Sequence, residues 1–569
     1  MYLESELESI LSSICDQHGI KVLIDPQDFV LQSPAAVDVE HDEQGNLVGI
    51  GVFDGLHSYY FTLVTPELSR RLISVDLIAH NGKSDFEQLR AWGIPVSDSQ
   101  LIWDTCLIAH IIDSTRKVYG LKKLAKDDLN IEYPSYDDIV GKRSAKVRRT
   151  LDEWPIAISA KYNALDCFAT YKLYQLQEKI GSISFKTYFN EVEKPASYVF
   201  QAMETRGIRI NVEYLKQLKI DLEAAQAPIK EAIINELGDI NLNSPKQLLS
   251  ALNSKGIYPE LKGKPSTDKR AIERYKDDIT VSKLLKFSEL DTLLSSFVYP
   301  YLARQTEVLN PFFNQCGTRT GRPSCSNPNL LQIPRRTDNG KLVRKMFIPR
   351  DGMLLGDCDF GQIEPRVLAH LSKDPALCKL FNDGVDFHTF TSERLGISRD
   401  RAKVLNLSVG YRATFKSVQA QLGGTNEEAQ AQINAWWSLF PQLRRWQETL
   451  IYSSKKSGFC TTLLGRRIKI DGLNDGNSWK REAAERQLIN NITQGSAAEI
   501  MKMAMINIHE TMPGVGLLVQ VYDELLFEAP EVFIRDVADE VVENMENSVK
   551  LDVPLTVECK IGPNWAEVH

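Results

Sequence analysis

The stretch GMLLGDCDFGQIEPRVLAHLS, residues 352–372, decides how this sequence is interpreted. Its first half is an apolar, strand-like run that ends in two acids, Asp357 and Asp359. Its second half begins a helix whose first turns carry Gln362, Glu364 and Arg366. The stretch therefore predicts a strand that ends in carboxylates and leads at once into a polar helix start.

A second acidic tip lies near the C-terminus, in VGLLVQVYDELLFEAP at residues 515–530. Apolar residues alternate on both sides of Tyr522, Asp523 and Glu524, which predicts a hairpin with acids at its tip. Two acidic tips can share two metal ions, and hard oxygen ligands suit Mg²⁺ or Mn²⁺. We expect Asp359 and Asp523 to be the shared ligands, while Asp357 is not assigned a role.

A cationic segment, SRDRAKVLNLSVGYRATF at residues 398–415, lies between the two acidic tips. Ser398 fits a helix N-cap, and Arg399, Lys403 and Leu407 recur at i, i+4 and i+8 on one helix face. Such a face opposite two carboxylate-held metals is what a triphosphate needs. Taken alone, the two cations would more often be solvated surface charges.

Another set of acids lies in the first 190 residues, where β-rich runs alternate with helical patterns. In AAVDVEHD, Asp38 and Glu40 stand two residues apart on a predicted strand, so both side chains emerge on one face. AHNGKSDFEQL adds Asp85, and KYNALDCFATY adds Asp166 on a predicted helix. Four converging carboxylates repel one another unless cations neutralise them, so the set predicts a two-metal site that acts on a phosphodiester.

The order D-x-E, N-x-x-x-D and Y-x-x-x-D in these segments resembles the proofreading exonuclease domain of the DEDD nuclease superfamily in its Tyr-containing form. The resemblance implies an RNase H-like α/β domain at residues 1–190 with 3′→5′ exonuclease activity. It makes the four acids the metal ligands, and Tyr162 is placed to orient the attacking water.

Five further segments resemble, in order, the signatures of family A DNA polymerases, the class of bacterial DNA polymerase I and many phage replicases. They are TRTGRPSCSNPNLLQIPRR (318–336), DFGQIEPR (359–366), RDRAKVLNLSVGY (399–411), ERQLINNITQGSAAEIMK (485–502) and VYDE (521–524). The ending GPNWAEVH also looks like the family's C-terminus. The resemblance runs from about Val37 to His569 and implies DNA-directed DNA synthesis by nucleotidyl transfer.

This resemblance implies a right-hand polymerase domain at residues 191–569. The α+β palm, with an antiparallel sheet, would occupy residues 321–385 and 500–569. A helical thumb would occupy residues 191–320, and helical fingers residues 386–499. The match begins beside the exonuclease segment, so we expect no 5′-nuclease domain and a phage replicative enzyme.

Residue roles are carried over from the resemblance, position by position. Asp359 and Asp523 would hold two Mg²⁺ ions, which Mn²⁺ can replace, and Glu524 would support them. Glu364 matches the steric gate that excludes a ribose 2′-OH, and Lys403 is expected to be catalytic. The expected nucleotide-binding residues are Gln362, Glu364, His388, Arg399, Lys403, Leu407 and Tyr411. The expected contacts to primer-template DNA are Arg322, Asn329, Arg486, Asn490, Gln494 and Tyr522.

Four positions depart from the family pattern, namely Leu407, Gly410, Arg412 and Tyr522. All four would border the nascent base pair or the primer terminus. One interpretation is drift with compensation. The other is a pocket altered for an unusual nucleotide, such as 2-aminoadenine in place of adenine.

Other function classes fit the sequence less well. A lesion-bypass or repair polymerase of the same family commonly has decayed exonuclease motifs, whereas all four acids are intact here. A DNA-binding scaffold derived from a polymerase would be expected to lose Asp359 or Asp523. A stand-alone exonuclease would leave more than half of the chain unexplained.

Composition sets the broad class. The 569 residues, 43% hydrophobic and 25% charged, are enough for several cores. The net charge of −8 argues against coating nucleic acid by bulk electrostatics, although local basic clusters remain. These clusters are GKRSAKVRR (141–149), KGKPSTDKR (262–270), VRKMFIPR (343–350) and LGRRIK (464–469).

The cellular setting is inferred from what the sequence lacks. No run approaches the roughly 18 apolar residues of a membrane span. The nine cysteines are scattered singly, which favours a reducing cytoplasm. We expect a monomer that acts on primer-template DNA and dNTPs without a membrane, in the cytoplasm of a bacterial host if the chain is phage-encoded.

Overall fold

The fold is that of a computed structural model, which describes residues 2–42, 44–141, 149–181, 183–334 and 338–568. Most of the basic cluster at 141–149, and residues 335–336 of the segment 318–336, lie outside the described residues.

The N-terminal part is built on a mixed six-stranded sheet, hereafter the N-terminal sheet. Its strands, in spatial order, are Val22–Ile24, Ser58–Phe61, Leu47–Phe53, Ala35–His41, Leu77–Ala79 and Leu101–Asp104. The helices here are Glu4–Gln17, Pro66–Leu72, Lys83–Ala91, Thr105–Ile112, Leu121–Leu129, Tyr136–Val140, Ile156–Ile180 and Ile183–Tyr188.

Strand Ala35–His41 forms because its first residues are small or β-branched and are fully buried, while its acids lie at the half-exposed end. It pairs antiparallel with Leu47–Phe53 and parallel with Leu77–Ala79. Helix Ile156–Ile180 packs across both strands of the antiparallel pair. This packing places the helix over the acidic end of the strand.

A helical region follows. Its helices are Lys194–Arg206, Val212–Leu237, Pro245–Ser254, Lys269–Ile272, Ile279–Leu293 and Tyr299–Ala303. This region also contains a small three-stranded sheet, formed by Val308–Leu309, Ile208–Ile210 and Phe347–Ile348 in spatial order. The short hairpins Glu260–Leu261 with Lys264–Pro265, and Phe312–Asn314 with Ser324–Ser326, complete it.

The C-terminal part centres on a four-stranded antiparallel sheet. The strand Met353–Phe360, hereafter the central strand, lies between Glu524–Pro530 and Val557–Gly562, with Gly516–Val521 outermost. The predicted hairpin is confirmed as Gly516–Val521 and Glu524–Pro530, hereafter the acidic hairpin. Its strands are almost wholly buried, which accounts for their apolar sequence on both faces.

Helices surround this sheet. They are Asp338–Arg344, Ile363–Ser372, Pro375–Asn382, Phe387–Leu395, Arg399–Val409, Phe415–Leu422, Asn426–Leu439, Pro441–Ser457, Ser478–Thr511 and Ile534–Glu546. Helix Arg399–Val409 is hereafter the cationic helix, and Ser478–Thr511 the long helix. A small hairpin, Phe459–Thr461 with Arg467–Lys469, precedes the long helix.

One cysteine pair was not expected from the sequence. Cys358 and Cys559 lie directly opposite each other on adjacent strands and are joined as a disulfide. Strand pairing brings together two cysteines that lie 201 positions apart in the sequence, so their spacing could not predict the contact. The expectation of a reducing cytoplasm stays a prediction.

Candidate active sites

Two carboxylates meet where the central strand ends beside the acidic hairpin. Asp359 is the penultimate residue of the strand, and Asp523 lies in the turn of the hairpin. The backbone N–H of Phe360 donates to the carbonyl of Asp523 at 3.0 Å, which fixes the two tips side by side. Burial, followed by the charge of Asp359, raises the pKa of Asp523 to about 6. A carboxylate whose pKa is raised by a neighbouring carboxylate fits a site for a divalent cation.

Glu524 is almost fully buried beside these two acids. Its Oε1 accepts from the indole N–H of Trp565 at 3.3 Å and lies 3.5 Å from a guanidinium nitrogen of Arg344. The carboxylate is thus held from behind by an aromatic donor and a cation, which suits the supporting role predicted for it.

The cationic helix presents its predicted face to solvent. Ser398 caps the helix by accepting from the backbone N–H of Arg401, as predicted. Arg399, Lys403 and Leu407 are all exposed, whereas the opposite face of the helix is buried. The solvent-exposed face of the helix therefore carries two cations and a leucine that a ligand could contact.

Both ends of this helix are tied to the segment that follows Asp359. At the start, Arg399 and Gln362 both donate to Asp386, at 3.2 and 2.8 Å. At the end, the hydroxyl of Tyr411 donates to Glu364. Because Gln362 and Glu364 follow Asp359 within five residues, these bonds hold the cationic face beside the carboxylates.

Glu364 also accepts from Arg322 at 2.6 Å. The Arg322 guanidinium lies over the Tyr522 ring, 5.5 Å from its centroid, and Tyr522 is about half exposed at the tip of the acidic hairpin. Burial, followed by the charge of Glu364, raises the pKa of Tyr411 well above its usual range. The structure therefore gathers four predicted site residues, Arg322, Glu364, Tyr411 and Tyr522, into one cluster.

The remaining predicted DNA contacts divide into two kinds. Arg486, Asn490 and Gln494 recur every four residues along the long helix, and all three are half-buried. Asn329 instead caps a short helical turn, Leu330–Gln332, by accepting from the N–H of Leu331 at 3.1 Å. Its Oδ1 accepts this hydrogen bond within the protein, so a direct contact to DNA would be made by its side-chain NH2 group.

The N-terminal acids also converge. Oxygens of Asp38, Glu40 and Asp166 all lie within 4.8 Å of one another, and the N–H of Val39 hydrogen-bonds to Asp85. Burial, followed by neighbouring carboxylates, raises the pKa of Asp38 to about 8, and it raises the pKa of Glu40 and of Asp85 well above the usual range. Carboxylates this close suit hard divalent cations, so the residues fit the predicted metal pair.

Three residues that sequence reasoning missed surround these acids. The ammonium group of Lys122 bonds to Asp166, the Tyr133 hydroxyl donates to the same carboxylate at 2.7 Å, and the Asn163 amide donates to Asp38 at 2.7 Å. Lys122 also lies over the ring of Tyr162, 4.3 Å from its centroid. Tyr162 itself is buried. No sequence pattern points to Lys122, because it lies 44 residues before Asp166 and on a different helix.

The sequence profile of DNA polymerase family A matches residues 212–567. The chain belongs to DNA polymerase family A. This family A chain is 32% identical over 517 residues to DNA polymerase I of Borreliella burgdorferi, covering 87% of the chain and 56% of that protein. It is 30% identical over 603 aligned positions to DNA polymerase I of Rhizobium leguminosarum, covering 100% of the chain and 58% of that protein.

A solved structure resembles the fold of this family A chain throughout. It is the POL domain of Pol1 from M. smegmatis in complex with DNA primer-template and dNTP, with a TM-score of 0.80 and 27% identity. The likeness covers 100% of this chain and 99% of that one. The chain spans little more than half the length of the two bacterial relatives.

Two departures from the family pattern can now be located. Gly410 is the first residue after the cationic helix, and an added Cβ there would lie 3.7 Å from the Trp436 ring. Arg412 adopts a left-handed backbone, with φ of 60°, and its guanidinium lies 3.8 Å from Glu485 of the long helix. Trp436 thus occupies space beside the missing side chain, which favours compensated packing at this position.

No helix within the described ranges combines the length and the apolar character that crossing a membrane requires.

Proposed function

We propose that this family A chain is a template-directed DNA polymerase that adds dNTPs to a primer 3′-hydroxyl. The observation that carries the proposal is the cationic helix tied at both ends to the segment after Asp359, with Asp523 beside it. The related M. smegmatis structure, which contains primer-template DNA and dNTP, supports the same ligands for this chain.

We assign the site residues different roles according to their charge. Asp359 and Asp523 would hold two Mg²⁺ ions, which would lower the pKa of the primer hydroxyl and stabilise the charge that develops on the phosphates. Arg399 and Lys403 would bind the triphosphate, because their exposed cations lie on one face of the helix. Leu407, on the same exposed face of the helix, would support the sugar of the incoming nucleotide.

The selection of deoxyribose would fall to Glu364. Its carboxylate is fixed by Arg322 and Tyr411, so it cannot swing away from an added 2′-hydroxyl without breaking two hydrogen bonds. Arg322, Tyr522 and the half-buried face of the long helix with Arg486, Asn490 and Gln494 would contact the primer-template.

We further propose that the N-terminal part is a 3′→5′ exonuclease that removes mispaired primer ends. Asp38, Glu40, Asp85 and Asp166 would hold the metal pair, and Tyr162 would orient the attacking water. The support is the convergence of three of these acids, whose carboxylate oxygens lie within 4.8 Å of one another. In phage DNA replication, the polymerase would extend the primer and the exonuclease would remove the nucleotides that it mispairs.

The test is a primer-extension and primer-degradation assay in Mg²⁺ with wild type, Asp523→Ala and Asp38→Ala. We expect extension to be lost only in Asp523→Ala and degradation only in Asp38→Ala. Extension that survives Asp523→Ala would contradict the polymerase proposal. Degradation that survives Asp38→Ala would contradict the exonuclease proposal.

A further inference from the structure

The side chain of Asn406 lies on the buried face of the cationic helix and makes four hydrogen bonds. Its Oδ1 accepts from the indole N–H of Trp436 at 2.7 Å and from the hydroxyl of Thr391 at 3.0 Å. Its Nδ2 lies 3.1 Å from the carbonyl of Phe387 and 3.0 Å from Nδ1 of His388. The hydrogen-bonding capacity of the amide is therefore filled.

The chemistry of two partners determines which way this amide points. An indole N–H can only donate, so the atom 2.7 Å from Trp436 must be the amide oxygen. A backbone carbonyl can only accept, so the atom facing Phe387 must be the amide nitrogen. Both conditions hold in one orientation only, which directs an N–H of Asn406 at Nδ1 of His388.

The orientation of Asn406 in turn fixes the proton of His388. Nδ1 accepts a hydrogen bond, so the neutral ring carries its proton on Nε2. Burial lowers the pKa of His388, the charge of Asp386 raises it, and the charges of Arg399 and Lys403 lower it further. The net lowering favours the neutral ring, which offers one donor.

We propose that Asn406 and Trp436 are positioning residues that fix the tautomer of His388, so that its Nε2–H is the donor presented to the phosphates of the incoming nucleotide. The proposal rests on the proposed polymerase function, together with the expectation from the family resemblance that His388 is a nucleotide-binding residue. A ring of the other tautomer would present a lone pair to the phosphate oxygens, and the two would repel each other.

Gly410 belongs to the same arrangement. An added Cβ on Gly410 would lie 3.0 Å from the backbone carbonyl oxygen of Asn406 and 3.7 Å from the Trp436 ring. Gly410 is therefore a direct neighbour of both proposed positioning residues, and a side chain there would press first on the backbone of Asn406.

The direct test is nitrogen NMR of the protein labelled with ¹⁵N-histidine, with the His388 signals assigned by their loss in His388→Gln. We expect wild-type His388 to show a protonated Nε2 and an unprotonated Nδ1. In Asn406→Asp the donor is replaced by an acceptor, so we expect Nδ1 to become protonated. A protonated Nδ1 in wild type, or an unchanged pattern in Asn406→Asp, would overturn the proposal.

A kinetic test separates the positioning role from a structural one. Trp436→Phe keeps an aromatic ring at this position but removes the indole N–H. We expect KM for dNTP to rise roughly tenfold with a smaller change in kcat. Trp437→Phe is the matched control, because Trp437 is the neighbouring indole, and it should leave KM unchanged. Equal KM values for Trp436→Phe and wild type, with DNA synthesis intact, would overturn the role in nucleotide binding.

The two tests also separate this proposal from the proposed function. Wild type that lacks DNA synthesis but shows the expected His388 tautomer would contradict the polymerase function and leave the tautomer assignment standing. If Asn406→Asp melts well below wild type, Trp436→Phe, which removes one of the two bonds that orient the amide, serves in both experiments. A second tautomer population is then the expected result, and its absence would overturn the assignment.

Discussion

Glu364 is held by Arg322 and Tyr411 in the protein alone, before any nucleotide binds. Because a fixed carboxylate excludes an added hydroxyl by sterics and charge, Glu364→Ala should raise the efficiency of ribonucleotide incorporation relative to dNTP by roughly ten- to a hundredfold. Single-nucleotide insertion kinetics with matched dNTP and rNTP would measure the ratio. Tyr411→Phe removes one of the two holding bonds but keeps the carboxylate, so its ratio should lie in between. An unchanged ratio in Glu364→Ala would rule out the gate.

Lys122 offers a second prediction for a single residue. Its ammonium group bonds to Asp166 and lies over the ring of Tyr162. Its removal should therefore increase the repulsion among the acids and remove a contact that positions the Tyr162 ring. We expect Lys122→Met to slow degradation of a single-stranded primer roughly tenfold or more while DNA synthesis is unchanged. The matched control is Lys123→Met, because Lys123 is exposed and pairs with Asp127 away from the acids. Equal degradation rates in the two variants would count against a role for Lys122.

The long helix is anchored by a buried ion pair. Lys502 donates to both oxygens of Glu193 at 2.7 and 2.8 Å, and each side chain is only 2% exposed. Removing Lys502 takes away the closer of two buried cations beside Glu193 and leaves Arg466 at 3.6 Å, so Lys502→Met should lower the free energy of unfolding by about 3 kcal/mol, the lower end of the cost of a broken buried pair. Urea unfolding would measure it. Lys379→Met breaks an exposed pair with Asp383 and should change the same quantity by less than about 0.5 kcal/mol.

A second element, the loop that carries Arg322, depends on Gly321. That residue has φ of +82°, and a Cβ there would lie 2.0 Å from a guanidinium nitrogen of the buried Arg466. Gly321→Ala should therefore cost about 1–3 kcal/mol of stability and displace Arg322 from Glu364. Thermal melting and the ribonucleotide insertion ratio would report the two effects separately. A variant as stable as wild type would show that the loop tolerates the side chain.

Local patterns account for the elements that could be predicted. Strand Ala35–His41, the Ser398 cap and the acidic hairpin are each encoded within a few residues, by alternation, by capping chemistry or by a turn. The contacts of Lys122 with Asp166, and of Asn406 with Trp436, join residues on different helices. No local period encodes such contacts, so the residues that surround the acids and His388 emerged only from the fold.

On the scale of the whole molecule, the two proposed sites are joined by buried polar contacts. His110 of the N-terminal part donates from Nε2 to the carbonyl of Thr318 at 2.8 Å and receives a bond from Arg466. Thr318 in turn donates to the carbonyl of Arg322, whose guanidinium binds Glu364. The loop that contacts the polymerase site therefore rests directly on the N-terminal domain, so the relative placement of the two sites is set by hydrogen bonds rather than by a free linker.

The N-terminal acids make the stability of the whole molecule depend on pH and metal together. Burial raises the pKa of Asp38 to about 8, so the folded, metal-free protein keeps a proton that the unfolded chain has lost. The free energy of unfolding should therefore fall as pH rises from about 4 to about 8. Divalent cations bind the ionised acids, so Mg²⁺ should restore more stability at high pH than at low pH.

Thermal melting in EDTA and in Mg²⁺, at pH 6 and pH 8, would measure this dependence. We expect Mg²⁺ to raise the melting temperature of wild type more at pH 8 than at pH 6. Asp38→Asn removes one of the carboxylates whose pKa is raised in the folded protein, so the variant should lose less stability in EDTA between the two pH values than wild type does. The polymerase acids are unchanged in this variant, which makes it the control for cation binding at Asp359 and Asp523. An equal response of wild type and Asp38→Asn would contradict the role of Asp38 as a metal ligand.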